Sequence, residues 1–556
     1  MLAGESFQVL AKEVEETQEK RSSSTFGRLA GPYRSRQQKG PEVLEKSLPQ
    51  TILDRFSIIA LKAELGPNAK VLRQYQVESA EVMIVNDDGL GRYLVNEPEV
   101  DDEDRELYRL LMAQLYYSVK PTLETGDPVQ YIEKFIEEIA QEFKISEQLQ
   151  KSYPKLRYYM TREIAGYGVL NVPMKDPHVE EVECSGFKTP VTVVHRDFSQ
   201  YLRLETNISF DESSKLDDMV QKFAQRAGKS TTVAYPYTDF LLPEGHRGAV
   251  TFSNEVSLPG STFDIRKFPE EPLSITDLIA GGTLSPLLAS YYWLLAENRG
   301  FTLLVGPASA GKTTMLNVLL NLLRPDAKVL TVEDTPELRV SQENWIRFIT
   351  RTSYTLGGRE VGLFELVKLS LRYRPDYLVL GEVRGEEIQS LVQAAALGHG
   401  ALTTFHADTV QSALVRLRSP PLSVGESFLL LISNFLRMGK VTRSDGTQAR
   451  RVLESTEVLP EKATSATLRT KVIFALDPAS DKLLPDDPKE VVAKSERLDI
   501  VRVNHGWSTD ELARQLESRA KLLQTLVDSK TFAYKDVSRA IVSFYQGQPR
   551  SEGASK

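Results

Sequence analysis

Between Phe301 and Asp408 short apolar runs alternate with helical stretches: FTLLVG (301–306), a helix from Lys312, AKVLTVED (327–334), a helix from Gly362, DYLVLGE (376–382), a helix from Glu386, then GALTTFHAD (400–408). Apolar strands separated by helices predict a parallel sheet, because parallel strands need crossover connections and those helices bury both faces. The expected fold class is therefore α/β. In an open sheet of this kind ligands sit beyond the carboxyl ends of the strands.

The first of those ends carries Gly306, Pro307, Ala308, Ser309, Ala310, Gly311, Lys312, Thr313 and Thr314, which match Gly-x4-Gly-Lys-Ser/Thr between a strand and the helical run MLNVLLNLL (315–323). Strand, loop and helix together make this a phosphate-binding loop. Its glycines let backbone N–H groups converge on phosphate oxygens at the positive end of a helix. Lys312 is expected to reach the β- and γ-phosphates of ATP, and Thr313 to offer a hydroxyl to Mg²⁺.

Hydrolysis also needs a carboxylate to orient or deprotonate water. Glu333, Asp334 and Glu337 follow the strand VLTV, and Glu382 follows YLVLG. Gly381 stands where a Walker B strand ordinarily carries Asp, which leaves Glu382, through water, as the route to Mg²⁺. For any one of these carboxylates the competing reading is a charge that merely ends a strand. His399 and His406, seven apart in LGHGALTTFHADT, lack zinc-ligand spacing. They read as core or surface histidines or, more sharply, as sensors of the γ-phosphate.

A chain of 556 residues is too long for one core, and about three or four domains are expected. Residues 1–45 are polar and read as a flexible tail, with a transient helix over 7–19 and a solvated basic stretch over 21–40. Residues 46–165 are expected to form a first N-terminal domain with a helical connector. In it AEVMIVND (80–87) and GRYLVNEPE (91–99) make a hairpin around Asp88-Gly89-Leu90, followed by helices over 105–119, 128–145 and 158–164. Residues 166–270 place strands at 179–186, 190–196, 247–253 and 262–268 around one amphipathic helix, 214–228, which makes a second, mixed α+β domain. Pro269–Pro272 then punctuates the passage to the 271–556 domain. Late in that domain SFLLLISNFLRMGK (427–440) reads as a helix, 449–460 and 468–478 as paired strands, and 508–546 as closing helices opened by a capping box of Ser508 and Glu511.

A formal charge of −8 argues against wholesale binding to nucleic acid. The single cysteine, Cys184, excludes intramolecular disulfides and multi-cysteine zinc sites, and suits a reducing compartment. No apolar run approaches the roughly 18–20 residues that span a bilayer, and the N-terminal residues do not read as a secretory signal.

Four sequence boxes resemble, in order, those of the type II/type IV secretion ATPases, a superfamily that also powers type IV pili and the archaellum: GPASAGKTT (306–314), VEDTPEL (332–338), RYRPDYLVLGEVRGEE (372–387) and LGHGALTTFHAD (397–408). Phrases such as REIAGYGVL (162–170), STFDIRKF (261–268) and NWIRFITR (344–351) are similar to the archaeal branch, so the likeness covers roughly residues 130–556. The resemblance implies a RecA-like P-loop ATPase domain preceded by a PAS-like mobile domain, and a homohexamer that binds ATP and Mg²⁺. By it Glu382 looks like the catalytic carboxylate and Mg²⁺ contact, and Glu337 like a second catalytic glutamate. His399 and His406 take the His-box positions. Arg247 and Arg266 match mobile-domain arginines that close on nucleotide, and Arg384 stands in the Walker B-like box. Ala310 replaces a small hydroxyl residue, and the tetracysteine insertion of many bacterial relatives is absent. The implied function is a motor that drives filament assembly or secretion through a polytopic membrane platform protein, at the inner face of the cell membrane, with no nucleic-acid partner. A conjugation-type or RecA-like nucleic-acid motor and a nucleotide-dependent scaffold with negligible turnover are the alternatives.

Overall fold

The computed structural model describes residues 56–118, 127–143, 145–268, 271–351, 359–443, 447–459 and 468–547. The tail expected over 1–45 lies outside them. The chain forms two compact units, Met1–Phe268 and Pro269–Lys556, so the division falls at the proline-rich punctuation.

In the first unit a nine-stranded sheet runs in the order β1 (Lys70–Val77), β2 (Ala80–Asp87), β3 (Leu90–Asn96), β6 (Leu204–Ser209), β5 (Pro190–His195), β4 (Val179–Cys184), β9 (Thr262–Arg266), β8 (Arg247–Thr251) and β7 (Tyr237–Leu241). The expected β2–β3 hairpin closes on Asp88 and Gly89, at φ 51° and 91°. Both values belong to the two-residue turn whose twist matches paired strands. Every pairing is antiparallel except β3 with β6, where Arg92 stands beside Glu205. That one pairing joins the stretches expected as first and second N-terminal domains into one sheet, and a single apolar core runs from Ile58 to Ile265. Helices Asp102–Ser118, Pro128–Phe143, Ser146–Ile164 and Ser213–Arg226 accompany the sheet. The third is anchored by Arg162, whose guanidinium meets Glu97 at 2.6 Å with both side chains almost fully buried.

The second unit is built on a sheet ordered β12 (Trp345–Ile349), β11 (Val329–Glu333), β13 (Tyr377–Val383), β14 (Gly400–His406), β10 (Phe301–Gly306), β15 (Asn434–Thr442), β16 (Gln448–Val458), β17 (Thr470–Asp477) and β18 (Lys482–Leu484). The first six strands are parallel, as the apolar runs require, and the last three extend the sheet antiparallel. The helix expected over 427–440 is corrected here. Only Glu426–Leu429 is helical, and Asn434–Thr442 is β15, hydrogen-bonded to β10 on one side and β16 on the other. Phe435, Leu436 and Met438 are all buried. A strand covered on both faces shows a continuous apolar run, which periodicity does not distinguish from a buried helix. The chain closes with helices Thr509–Asp528 and Tyr534–Gly547, the first capped by Ser508, which accepts the Glu511 N–H at 3.1 Å.

Candidate nucleotide-binding site

β10, β11, β13 and β14 run parallel, so Gly306, Glu333, Glu382 and His406 emerge along the same edge of the second sheet. β10 is buried along its whole length, and the chain leaves it through a tight passage: a Cβ on Gly306 would lie 2.5 Å from the Met438 carbonyl oxygen of β15. Gly311, at φ 90°, turns the chain into the helix Lys312–Leu320, a left-handed conformation that glycine tolerates. The unpaired N–H groups and positive dipole end of that helix face the loop. Lys312 is only 7% exposed. Its Nζ donates to the carbonyls of Gly306 (2.9 Å) and Pro307 (2.7 Å) and lies 3.3 Å from Nδ1 of His406. Thr313 and Thr314 follow in the first helical turn, half-buried.

His406 joins two of the boxes to the loop. Its Nε2 stands 2.9 Å from Oε1 of Glu382, and the other Glu382 oxygen accepts from Arg384 at 2.7 Å. Burial, then the Lys312 ammonium, pull the His406 pKa below its ordinary value, while Glu382 acts in the opposite direction. A neutral imidazole with its proton on Nε2 suits both neighbours, donating to the carboxylate and accepting from the ammonium. Lys312, His406 and Glu382 therefore form one chain of contacts across three strands' ends. An open cleft of about 370 Å³ adjoins it, lined by Pro307, Ala308, His406, Asp408, Ser412 and Arg416.

The donors of the loop suit a polyphosphate, and the Glu382 carboxylate with the Thr313 hydroxyl suits a hard, oxygen-seeking cation such as Mg²⁺.

The Asp box divides its labour. Glu333, at the end of β11 and 2% exposed, accepts the backbone N–H groups of Glu337 (2.8 Å) and Leu338 (2.7 Å) on one oxygen and pairs with Arg347 Nε (3.0 Å) on the other. Burial raises its pKa, and Arg347 and the two amides lower it. Glu333 is thus a carboxylate that folds the loop, and Glu337, four residues on, is half-buried. The side chain of Glu333 also packs beside Gly381: a Cβ there would touch its Cγ at 3.4 Å. A carboxylate at the position that usually carries Asp would therefore stand beside the buried Glu333 carboxylate.

The two His-box histidines separate. His406 ends β14, whereas His399 precedes its first residue, Gly400. Seven residues of strand put them roughly 20 Å apart, so His399 does not reach the phosphate loop of its own chain. Arg247 and Arg266 lie in the first unit, directly opposite each other across β8 and β9. Their side chains therefore share a face, and Glu181 of β4 stands opposite Arg266 on its other side, where the two charges act on each other. Sequence reasoning missed Arg416, which donates to the His406 carbonyl, and the arginines of β15 and β16; alternation along ARRVLES is the signal that distinguishes them.

The first unit holds a second polar cluster, His178, His195 and Asp197, whose ligand atoms lie within 4.8 Å of one another. Each ring nitrogen already has a neighbour: His195 accepts the Asp197 N–H (3.2 Å) and meets Tyr75 (3.1 Å), and His178 meets Asp197 (3.1 Å) and Arg73 (3.5 Å). With the Arg73 guanidinium supplying the positive charge, the cluster is a structural network.

Comparison with known proteins agrees with this geometry. A family model described as "Type II/IV secretion system protein" matches residues 208–434. An uncharacterized protein of Methanocaldococcus jannaschii is 29% identical over 476 residues, covering 82% of this chain and 85% of its own. A second from that organism is 34% identical over 255 residues, 46% of this chain and 92% of its own. A Mycobacterium tuberculosis protein named for conjugal transfer is 30% identical over 220 residues, 38% of this chain and 62% of its own. With its four boxes reaching one sheet edge, the chain belongs to the type II/IV secretion system protein family.

Proposed function

We propose that the protein hydrolyses ATP with Mg²⁺ and works as a homohexameric motor for assembly or secretion of pilus-like filaments, acting on a polytopic platform protein at the inner face of the membrane. The observation that carries the reading is the Lys312–His406–Glu382 chain, which links a phosphate-binding lysine to a carboxylate through a neutral imidazole. In this reading Lys312 and the loop amides hold the β- and γ-phosphates, and Thr313 with Glu382 holds the metal, which neutralises charge developing on the phosphoryl group. Glu382 orients the attacking water, and His406 fixes the carboxylate while sensing through Lys312 whether a γ-phosphate is bound. Glu337 serves as a second carboxylate, and Arg247 and Arg266 of the first unit supply positive charge when nucleotide is enclosed.

Among the described residues no helix is long and apolar enough to cross a membrane, so the reading places a partner, rather than this chain, within the bilayer. The test is metal-dependent phosphate release by Glu382→Gln, expected to fall at least about 100-fold while the loop still binds nucleotide. Full turnover in that variant refutes the assignment. The conjugal-transfer relative favours one second reading, a nucleic-acid motor. It predicts a salt-sensitive rise in turnover on adding DNA, against which the charge of −8 speaks.

A further inference from the structure

The antiparallel extension of the second sheet reaches the phosphate loop with a residue that none of the four boxes contains. Side chains alternate along a strand, and on β16 the consecutive Arg450 and Arg451 part company. Arg451 is buried and structural, bonded to the Gly281 carbonyl (3.0 Å) and to Asp481 (2.8 Å). Arg450 turns the other way. Its Nε donates to the Ser309 carbonyl at 3.2 Å, and its Cδ lies 3.4 Å from where a Cβ on Gly311 would sit. On β15, Arg437 does the same for the His box, donating from Nε to the Asp408 carbonyl at 2.7 Å.

From this geometry we infer that Arg450 is a positioning residue of the phosphate loop, holding the Ser309–Ala310 peptide in the orientation that binds phosphate. A trans peptide is planar, with its C=O and N–H pointing in opposite directions. Fixing the Ser309 carbonyl toward β16 therefore turns the Ala310 N–H away from β16 and toward the ligand side. Ser309 itself stands at φ 56°, a left-handed conformation that is unfavourable for a residue with a side chain. A loop strained at that residue relaxes by rotating this peptide unless something holds it. The aliphatic stem of Arg450 over Gly311 closes the same side of the loop. Preorganised donors bind more tightly because the ordering is done before the ligand arrives.

The inference rests on the ATPase reading, and the experiment separates the two. MgATP affinity and steady-state KM and kcat are measured for the intact protein, Arg450→Met, which keeps the stem and loses the donors, and Arg450→Lys, which restores a cationic donor. The methionine variant is expected to raise Kd and KM about tenfold, the equivalent of about 1.4 kcal/mol, with kcat within about twofold and the apo melting temperature unchanged. The lysine variant is expected to recover part of the affinity. Unchanged Kd in Arg450→Met, or a fall in kcat and melting temperature with KM unchanged, overturns the positioning role. Failure of the intact protein to bind MgATP overturns the ATPase reading itself.

Discussion

Restoring the aspartate that most Walker B strands carry should damage this protein. At Gly381 a new Cβ meets only ordinary contacts, 3.4 Å from the Glu333 Cγ and 3.8 Å from its Cβ. Gly381→Ala is therefore expected to be tolerated. Gly381→Asp instead brings a second carboxylate beside one that is 2% exposed and already committed to Arg347 and two backbone amides. Two unit charges about 5 Å apart at an effective dielectric near 20 repel by about 3 kcal/mol. For a unit of about 290 residues that corresponds to a fall of about 5 °C in melting temperature. Gly381→Asn has the same shape without the charge, so the difference between Asp and Asn variants isolates the repulsion. The sign with pH is fixed: the introduced carboxyl has a folded pKa above its unfolded one. Its penalty is therefore absent below the unfolded value near 4 and grows as pH rises through the folded value. Calorimetry of the three variants at pH 7.5 and pH 4.5 is the assay. Asp and Asn variants melting within about 1 °C of each other at pH 7.5 would mean that Glu333 does not occupy the Walker B position, and the account of Gly381 fails.

Gly306→Ala should lower both stability and MgATP affinity, because its methyl would press on the Met438 carbonyl at 2.5 Å; overpacking of this kind costs about 1–3 kcal/mol, readable by calorimetry and nucleotide titration. Arg162→Met leaves the Glu97 carboxylate buried without its cation, and loss of one partner of such a pair should cost about 3–5 kcal/mol in the urea unfolding of the first unit. Burial holds His195 at a pKa of about 4, against 6.5 ordinarily, with Asp176 and Asp197 opposing and His178 and Arg73 reinforcing the shift. The unfolded chain then binds more protons between those values, so stability of the first unit should fall as pH drops from 6.5 to 4, by on the order of 3 kcal/mol. His195→Gln, compared with the intact protein across that range, should remove this part of the slope; an identical slope refutes the coupling.

The strands that carry the Gly-rich loop, the Asp box and the Walker B-like box were legible because each is a local pattern, an apolar run of five to seven residues. What the residues could not reveal is non-local. Whether Asn434–Thr442 is helix or strand depends on β10 and β16 lying to either side, which no periodicity within the segment encodes. The strands β1, β6 and β7 escaped notice, and the β3–β6 pairing that unites the first unit joins residues more than a hundred positions apart. The histidines show the same thing in miniature: His399 and His406 share a motif, yet the strand between them sends one to each end of the sheet. Glu333 and Glu337, four apart, are equally plausible acids on paper, and only burial assigns the first to the fold.

β10 is the first strand of its unit to be made, yet it lies between β14, which begins at Gly400, and β15, which begins at Asn434. During synthesis the phosphate loop leaves the ribosome well before either wall of its site exists. Closing such long intervals of chain is entropically slow, so the loop's neighbours on β14 and β15 arrive late in folding. In the proposed reading, nucleotide meets a complete site once the chain past Met438 has joined β10, and from then on it stabilises the folded state.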